Sequence, residues 1–292
     1  MGILVMQASK LPVAAAVASL VSLQIGAAVA KTIFPLVGPE GVAALRIGIA
    51  AMLLTAMFQP WTLRLTASDW PGLLLYGVMI GAMNLLIYRA FAYIPVGIAI
   101  SIEVLGPLAV AMITSRRVLD LLWIGFAALG LALLPLGSAA DGLDPRGVAF
   151  ALAAALCWGL YVAVGSRVAG HGNRGVAVGM VIASLVVLPF GIGHAGAALL
   201  EPRVLAFGLV VAALSSAMPF LLDLFALRHL PRSVFGVLMS ASPAVSAVAG
   251  IIILHERLSV TQWSGIAAIT LACVGTTTRS AREARRAALD AI

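Results

Sequence analysis

The chain has 292 residues, of which 62% are hydrophobic and only 10% charged, with a net charge of +7 and a mean hydropathy of +1.12. Soluble domains carry about 25% charged residues. This composition therefore excludes a soluble enzyme or binding module and leaves a membrane protein of many spans, in which the cost of unpaired backbone in lipid requires regular helices or a closed barrel. The positive charge sits mostly at the ends of apolar stretches, beside the anionic bilayer surface, and not in a patch suited to nucleic acid.

About ten apolar stretches follow one another, at 12–37, 40–58, 71–92, 96–113, 119–137, 147–165, 175–193, 204–225, 232–253 and 261–278. Most are close to the ~20 residues a membrane-crossing helix needs. Turn residues divide them: Gly38-Pro39, Pro60, Pro71-Gly72, Pro95, Asp144-Pro145, Gly170 to Asn173, Pro202 and Pro231. Ten-residue blocks of alternating polarity are absent, which argues against a barrel. Lys10 and the apolar run behind it have the outline of a secretory signal. The run continues to Val37 and further spans follow, so the expectation is an uncleaved first helix. Cys157 and Cys273 lie inside apolar stretches with neither disulfide nor metal spacing.

The basic residues set the expected orientation. With the N-terminus cytoplasmic, twelve of them, including Lys10, Arg64, Arg116, Arg117, Arg174 and Arg228, fall on the inner side, against Arg146, Arg203 and Arg257 on the outer side. Both ends are then cytoplasmic and the number of crossings is even.

The two halves repeat each other. Pro95 and Pro107 are 12 residues apart, as are Pro231 and Pro243. WIGFAALG from Trp123 matches WSGIAAIT from Trp263, and EGVAAL from Glu40 matches RGVAVG from Arg174. Five spans plus five, an odd number each, force the second half to insert in the opposite sense. Inverted repeats of this kind build secondary transporters, with a site near the midplane and two states open to opposite sides. The expected units are residues 1–140 and 141–278, with 279–292 as a basic cytoplasmic tail.

A charge in the hydrocarbon costs several kcal/mol unless it is paired or wet. Lys31, Arg46, Glu103 and Asp223 are such charges, with Gln24, Asn84, Tyr88, Trp158 and Tyr161 as polar or aromatic neighbours in adjoining spans. One reading is a wet central chamber in which Lys31 or Arg46 meets a carboxylate and Glu103 or Asp223 meets an ammonium group or carries a proton. Glu103, mid-span, is the best candidate for proton coupling, because a carboxyl group whose access to water alternates takes up and releases protons. The alternative reading has these charges pair with one another to fix helix packing. Pro107, Pro243 and Pro219 each lack the N–H that would bond the carbonyl four residues earlier, on Glu103, Met239 and Ser215 respectively. Small-residue faces such as Gly77 and Gly81 serve either packing within the chain or a homodimer contact. No nucleotide-binding loop, HExxH, CxxC or clustered histidine is present. No cofactor, metal or enzymatic activity is expected.

The segments 26–46, 76–90, 95–117, 157–162 and 230–256 resemble the EamA-type branch of the drug/metabolite transporter superfamily, and within it the bacterial exporters of threonine and homoserine. The resemblance covers nearly the whole chain. It implies an all-α protein of the bacterial inner membrane, with ten helices in two inverted five-helix repeats. It also implies export of small amino acids in exchange for protons, around Lys31, Arg46 and Glu103. Export of another metabolite or drug through the same fold, and a membrane scaffold without transport, are the alternatives.

Overall fold

The structure is a computed structural model that describes residues 2–113, 118–136 and 142–290. Arg116, Arg117, the expected boundary at 140 and the last two residues of the tail lie outside the described residues. All regular structure among the described residues is helical.

Helix α1 (Gly2–Thr32) starts before the apolar pattern does, and Ile33 separates it from α2 (Phe34–Phe58). The expected turn at Gly38-Pro39 is present as a kink inside α2. Gly38 has φ 68° and ψ 170°, in the left-handed range of φ that favours glycine, and the helix resumes at Pro39. After a short loop come α3 (Trp70–Tyr93), α4 (Val96–Glu103) and α5 (Leu105–Ile113). Further along are α6 (Val118–Leu136), α7 (Pro145–Ala169) and α8 (Gly172–Ala195). A rod follows that consists of α9 (Pro202–Ala212), a π-helical turn over Ala213–Ala217, and α10 (Met218–His229). Then come α11 (Arg232–Met239), α12 (Ser242–Leu254) and α13 (Val260–Asp290).

Among the described residues, eight helices are long and apolar enough to cross a membrane, counting α4–α5, α9–α10 and the apolar part of α11–α12 as one each. The stretch Leu121–Leu136 of α6 is apolar but shorter. Helix α13 runs without a break past Thr278 to Asp290, so the backbone of the expected tail continues the last helix.

The repeat seen in the sequence has a counterpart in the breaks. Val96–Glu103 and Arg232–Met239 are both eight-residue helices, each begun by a proline with nearly the same backbone (Pro95 φ −56°, ψ 142°; Pro231 φ −55°, ψ 137°). Packing follows the same logic. α2 packs on α8, α4 on α12 and α6 on α13, in each case an element of the first half of the chain on one of the second. α3 packs on α7 as α1 packs on the α9–α10 rod.

The bundle has two ends. At one, Asp69, the N-cap of α3, accepts from the Thr66 backbone amide at 2.7 Å and from its hydroxyl at 2.6 Å, with His171 Nε2 at 3.3 Å. The Thr66 bonds, with His171 adding to them, hold the Asp69 carboxyl below the usual carboxylate range. At the other end Lys31, Ile94 and Glu256 meet. Arg64, Arg174 and Arg228 lie toward the Asp69 end, and Arg146, Arg203 and Arg257 toward the Glu256 end.

Close helix contact depends on missing side chains. Gly77 and Gly81 of α3 abut the backbone of α8, so this small-residue face is used within the chain. A Cβ at Gly106 would lie 1.9 Å from the Ala155 carbonyl oxygen on α7, a backbone atom with nowhere to go. At Gly125 a Cβ meets nothing within 4 Å. Gly106→Ala is therefore expected to lower stability by about 1–3 kcal/mol, and Gly125→Ala to be neutral or stabilising by up to about 1 kcal/mol. Melting temperatures of the two variants in one detergent test this contrast.

Candidate functional site

Two adjoining cavities run along α3. Their α3 lining is Tyr76, Ile80, Met83, Asn84, Ile87, Tyr88 and Phe91, a stripe at helical spacing that spans most of the helix. The cavity nearer the Glu256 end has a volume of about 220 Å³. Gln24, Arg46, Asn84, Tyr88, Glu103, Trp158, Tyr161 and Ser242 line it, among apolar side chains. The second, of about 260 Å³, shares Arg46, Met83, Asn84 and Tyr161 with the first and runs past Ala50 and Leu53 to Met57 near the Asp69 end.

Arg46 stands at the junction. Its Nη1 donates to Asn84 Oδ1 at 2.8 Å, its Nη2 donates to the Ser215 carbonyl at 3.1 Å, and the guanidinium lies 5.7 Å from the centre of the Tyr88 ring. Asn84 is held in turn, because its Nδ2 donates to the Ile80 carbonyl at 2.9 Å. The side chain thus turns inward, not out to the interface.

The Ser215 carbonyl is free for a reason visible in the sequence. Pro219 has no N–H to offer it. The chain relaxes into a π turn, in which the Met218 amide bonds Ala213, a local form common at functional sites. The carbonyls released there find outside donors: Ser22 Oγ bonds Leu214 at 2.7 Å, and Arg46 takes Ser215. At the second break, Ser242 Oγ donates to the Met239 carbonyl at 2.9 Å, the carbonyl that Pro243 cannot serve.

Glu103 is 5% exposed, at the last position of α4, and lines the same cavity as Arg46. Gln24 and Asn84 are also buried, at 3% and 4%. Arg46 Nε and Tyr88 Oη are buried without a hydrogen-bond partner among the described residues. Tyr161 packs edge-on against Tyr76 with ring centres 5.7 Å apart, closing one wall beside Trp158.

The structure brings seven of the expected residues together, and Lys31 and Asp223 are not among them. Lys31 Nζ bonds Glu256 Oε1 at 2.8 Å and the Ile94 carbonyl at 3.3 Å, one helical turn beyond the cavity. Asp223 faces Ser19 on α1, and its Oδ1 has no hydrogen-bond partner among the described residues. Arg89 pairs with Glu40 at 2.7 Å and lies 5.7 Å from the Phe150 ring centre. The sequence pattern did not single out Glu256, Ser242 or Glu40 as site residues. No local signal ties Lys31 to Glu256, 225 residues away.

A polar, two-charge chamber inside a bundle of helices long and apolar enough to cross a membrane is that of a multi-pass membrane protein. Comparison with known proteins agrees with that class. The EamA-like transporter family matches residues 145–278. The threonine/homoserine exporter RhtA of Escherichia coli K12 is 44% identical over 282 residues, 96% of each chain. RhtA of Salmonella typhimurium LT2 is 44% identical over 275 residues, 94% of this chain and 93% of its own. A solved crystal structure with 20% identity superposes with a TM-score of 0.59, over 92% of this chain and 97% of its own, a likeness of fold. The chain belongs to the EamA-like transporter family.

The π turn provides a test of the local account. Ser22→Ala removes the donor to the Leu214 carbonyl and is expected to cost about 1 kcal/mol. Ser264→Ala, which loses only an exposed bond to the carbonyl four residues earlier, is expected to cost less than half of that. Thermal unfolding of both variants in detergent measures the difference.

Proposed function

We propose that this protein is a secondary exporter of small amino acids of the threonine and homoserine type in a bacterial inner membrane, driven by proton entry. The observation that carries the proposal is that Arg46 and Glu103 line one buried chamber of about 220 Å³. A guanidinium suits the carboxylate of a zwitterion, and a carboxylate suits its ammonium group. Asn84, Gln24 and Ser242 supply hydrogen bonds for a side-chain hydroxyl. Drug-sized ligands occupy pockets of ~300–1,000 Å³, so the chamber's size favours a small solute. The 44% identity to two threonine/homoserine exporters supports the same substrate class.

The ten-crossing reading adds α6 and α13 to the eight long apolar helices. Two inverted five-helix repeats are supported by the matched breaks at Val104 and Ser240 and by the packing of α2, α4 and α6 on α8, α12 and α13 of the second half. Cytoplasmic termini follow from assigning the Asp69 end, with Arg64, Arg174 and Arg228, to the inside. Transport then proceeds by rocking of the halves about the chamber. Glu103 changes its proton affinity as water enters and leaves, because dry surroundings disfavour the charged carboxylate. A proton and an ammonium group compete for the same carboxylate, which makes the exchange obligatory.

Purified protein in liposomes with an imposed pH gradient tests the proposal. Labelled threonine or homoserine is expected to accumulate against its gradient. In Glu103→Gln the pH dependence is expected to vanish, with gradient-driven accumulation falling at least ~100-fold. Movement of a drug-like cation or a nucleoside, with no amino acid carried, refutes the proposal.

A further inference from the structure

We propose that Glu256 is a positioning residue of the transport cycle. Together with Lys31 it forms a latch that shuts the Glu256 end of the chamber and opens when the chamber turns to that side. The inference rests on the transport reading for its purpose, but its geometry stands apart from the identity of the substrate.

Gln24, Ala27 and Lys31 lie on one face of α1. The first two line the chamber, and Lys31 is one turn beyond Ala27. The latch therefore lies directly past the chamber wall. Its parts come from both halves: Lys31 from the end of α1, and Glu256 from just after α12. Their contact is 2.8 Å, with side-chain exposures of 22% and 10%.

Glu256 makes a second contact that gives the pair its reach. Its Oε2 and Oε1 accept from the Val96 amide at 3.0 and 3.2 Å. Val96 opens α4, where a carboxylate is favoured by the free amides and the helix dipole. Glu103 closes the same helix, only about 10 Å away along its axis. The latch thus grips one end of a short rigid rod whose other end carries the proposed proton-coupling carboxylate. Beyond Glu103 the regular helix is interrupted at Val104, three residues ahead of Pro107.

The chain is shaped for this contact. His255 has φ 55°, the left-handed region, which turns the chain back after α12. Gly250 leaves room for the carboxylate, since a Cβ there would lie 2.3 Å from Glu256 Oε2. The Arg89–Glu40 pair adds a second closure between α3 and α2 at the same end. At the opposite end the second cavity is walled by Leu53, Leu54, Met57, Phe220 and Leu221, with no charge among those five. The structure is therefore the state closed at the Glu256 end.

Cysteine accessibility tests the latch. The probe is Ala27→Cys in a chain with Cys157→Ala and Cys273→Ala, labelled in intact cells by a membrane-impermeant maleimide. Lys31→Met and Glu256→Gln are each expected to raise the outside labelling rate at least ~10-fold and to lower labelling from the inside in inverted vesicles. Lys31→Arg, which keeps the ion pair, is expected to leave both rates within about twofold. The double variant Lys31→Met with Glu256→Gln has no unpaired charge and carries the test where a single variant fails to fold. Unchanged labelling in folded protein, or Lys31→Arg behaving like Lys31→Met, overturns the latch. The labelling needs no substrate, so latch behaviour in a protein that moves no amino acid refutes the proposed function and leaves the latch standing.

Discussion

A guanidinium placed in the middle of an apolar bundle constrains everything around it. Arg46 cannot be neutralised by losing its proton, so it must be solvated by the protein or by trapped water. The fold supplies Asn84, the Ser215 carbonyl and the face of Tyr88. Each of these requires something else. Asn84 must be oriented by Ile80, and the Ser215 carbonyl must be released by Pro219 and a π turn, which in turn needs Ser22 to satisfy Leu214. One charge thus accounts for an irregular helix on the far side of the chamber.

The breaks in the helices extend the same logic. Backbone away from regular helix is tolerated in a bilayer only where it is covered by protein or faces a wet cavity. The interruptions at Val104, at Ser240 and Ala241, and at Ala213–Ala217 lie beside the chamber or supply a residue to its lining. They shorten the elements nearest the chamber. Long unbroken helices such as α3 and α8 pack through glycine contacts against one another and form the rigid frame.

Electrostatics divides the molecule along its axis. At the Glu256 end, Lys31–Glu256 and Arg89–Glu40 hold elements from the two halves or neighbouring helices together. Partial burial makes such pairs costly to break one partner at a time, which suits a closure that opens as a unit. Toward the Asp69 end the cavity wall is apolar and aromatic, where separation costs little beyond packing contacts.

Much of this was legible from residue order. The apolar spacing marked the helices, because a bilayer demands long uninterrupted runs. The paired prolines at 95 and 107 and at 231 and 243 marked the helix breaks, because a missing N–H acts locally. Arg46, Asn84 and Glu103 stood out as charges or amides without local partners. The exact helix ends were less legible: α1 begins at Gly2 and α13 reaches Asp290, since helix propensity carries on past the apolar span. The sequence by itself determined that this chain is a bundle of broken membrane helices with charges to hide. Only the tertiary structure decided which charges share the chamber and which lock an end, because Lys31 and Glu256 are 225 residues apart and meet only when the two halves pack together.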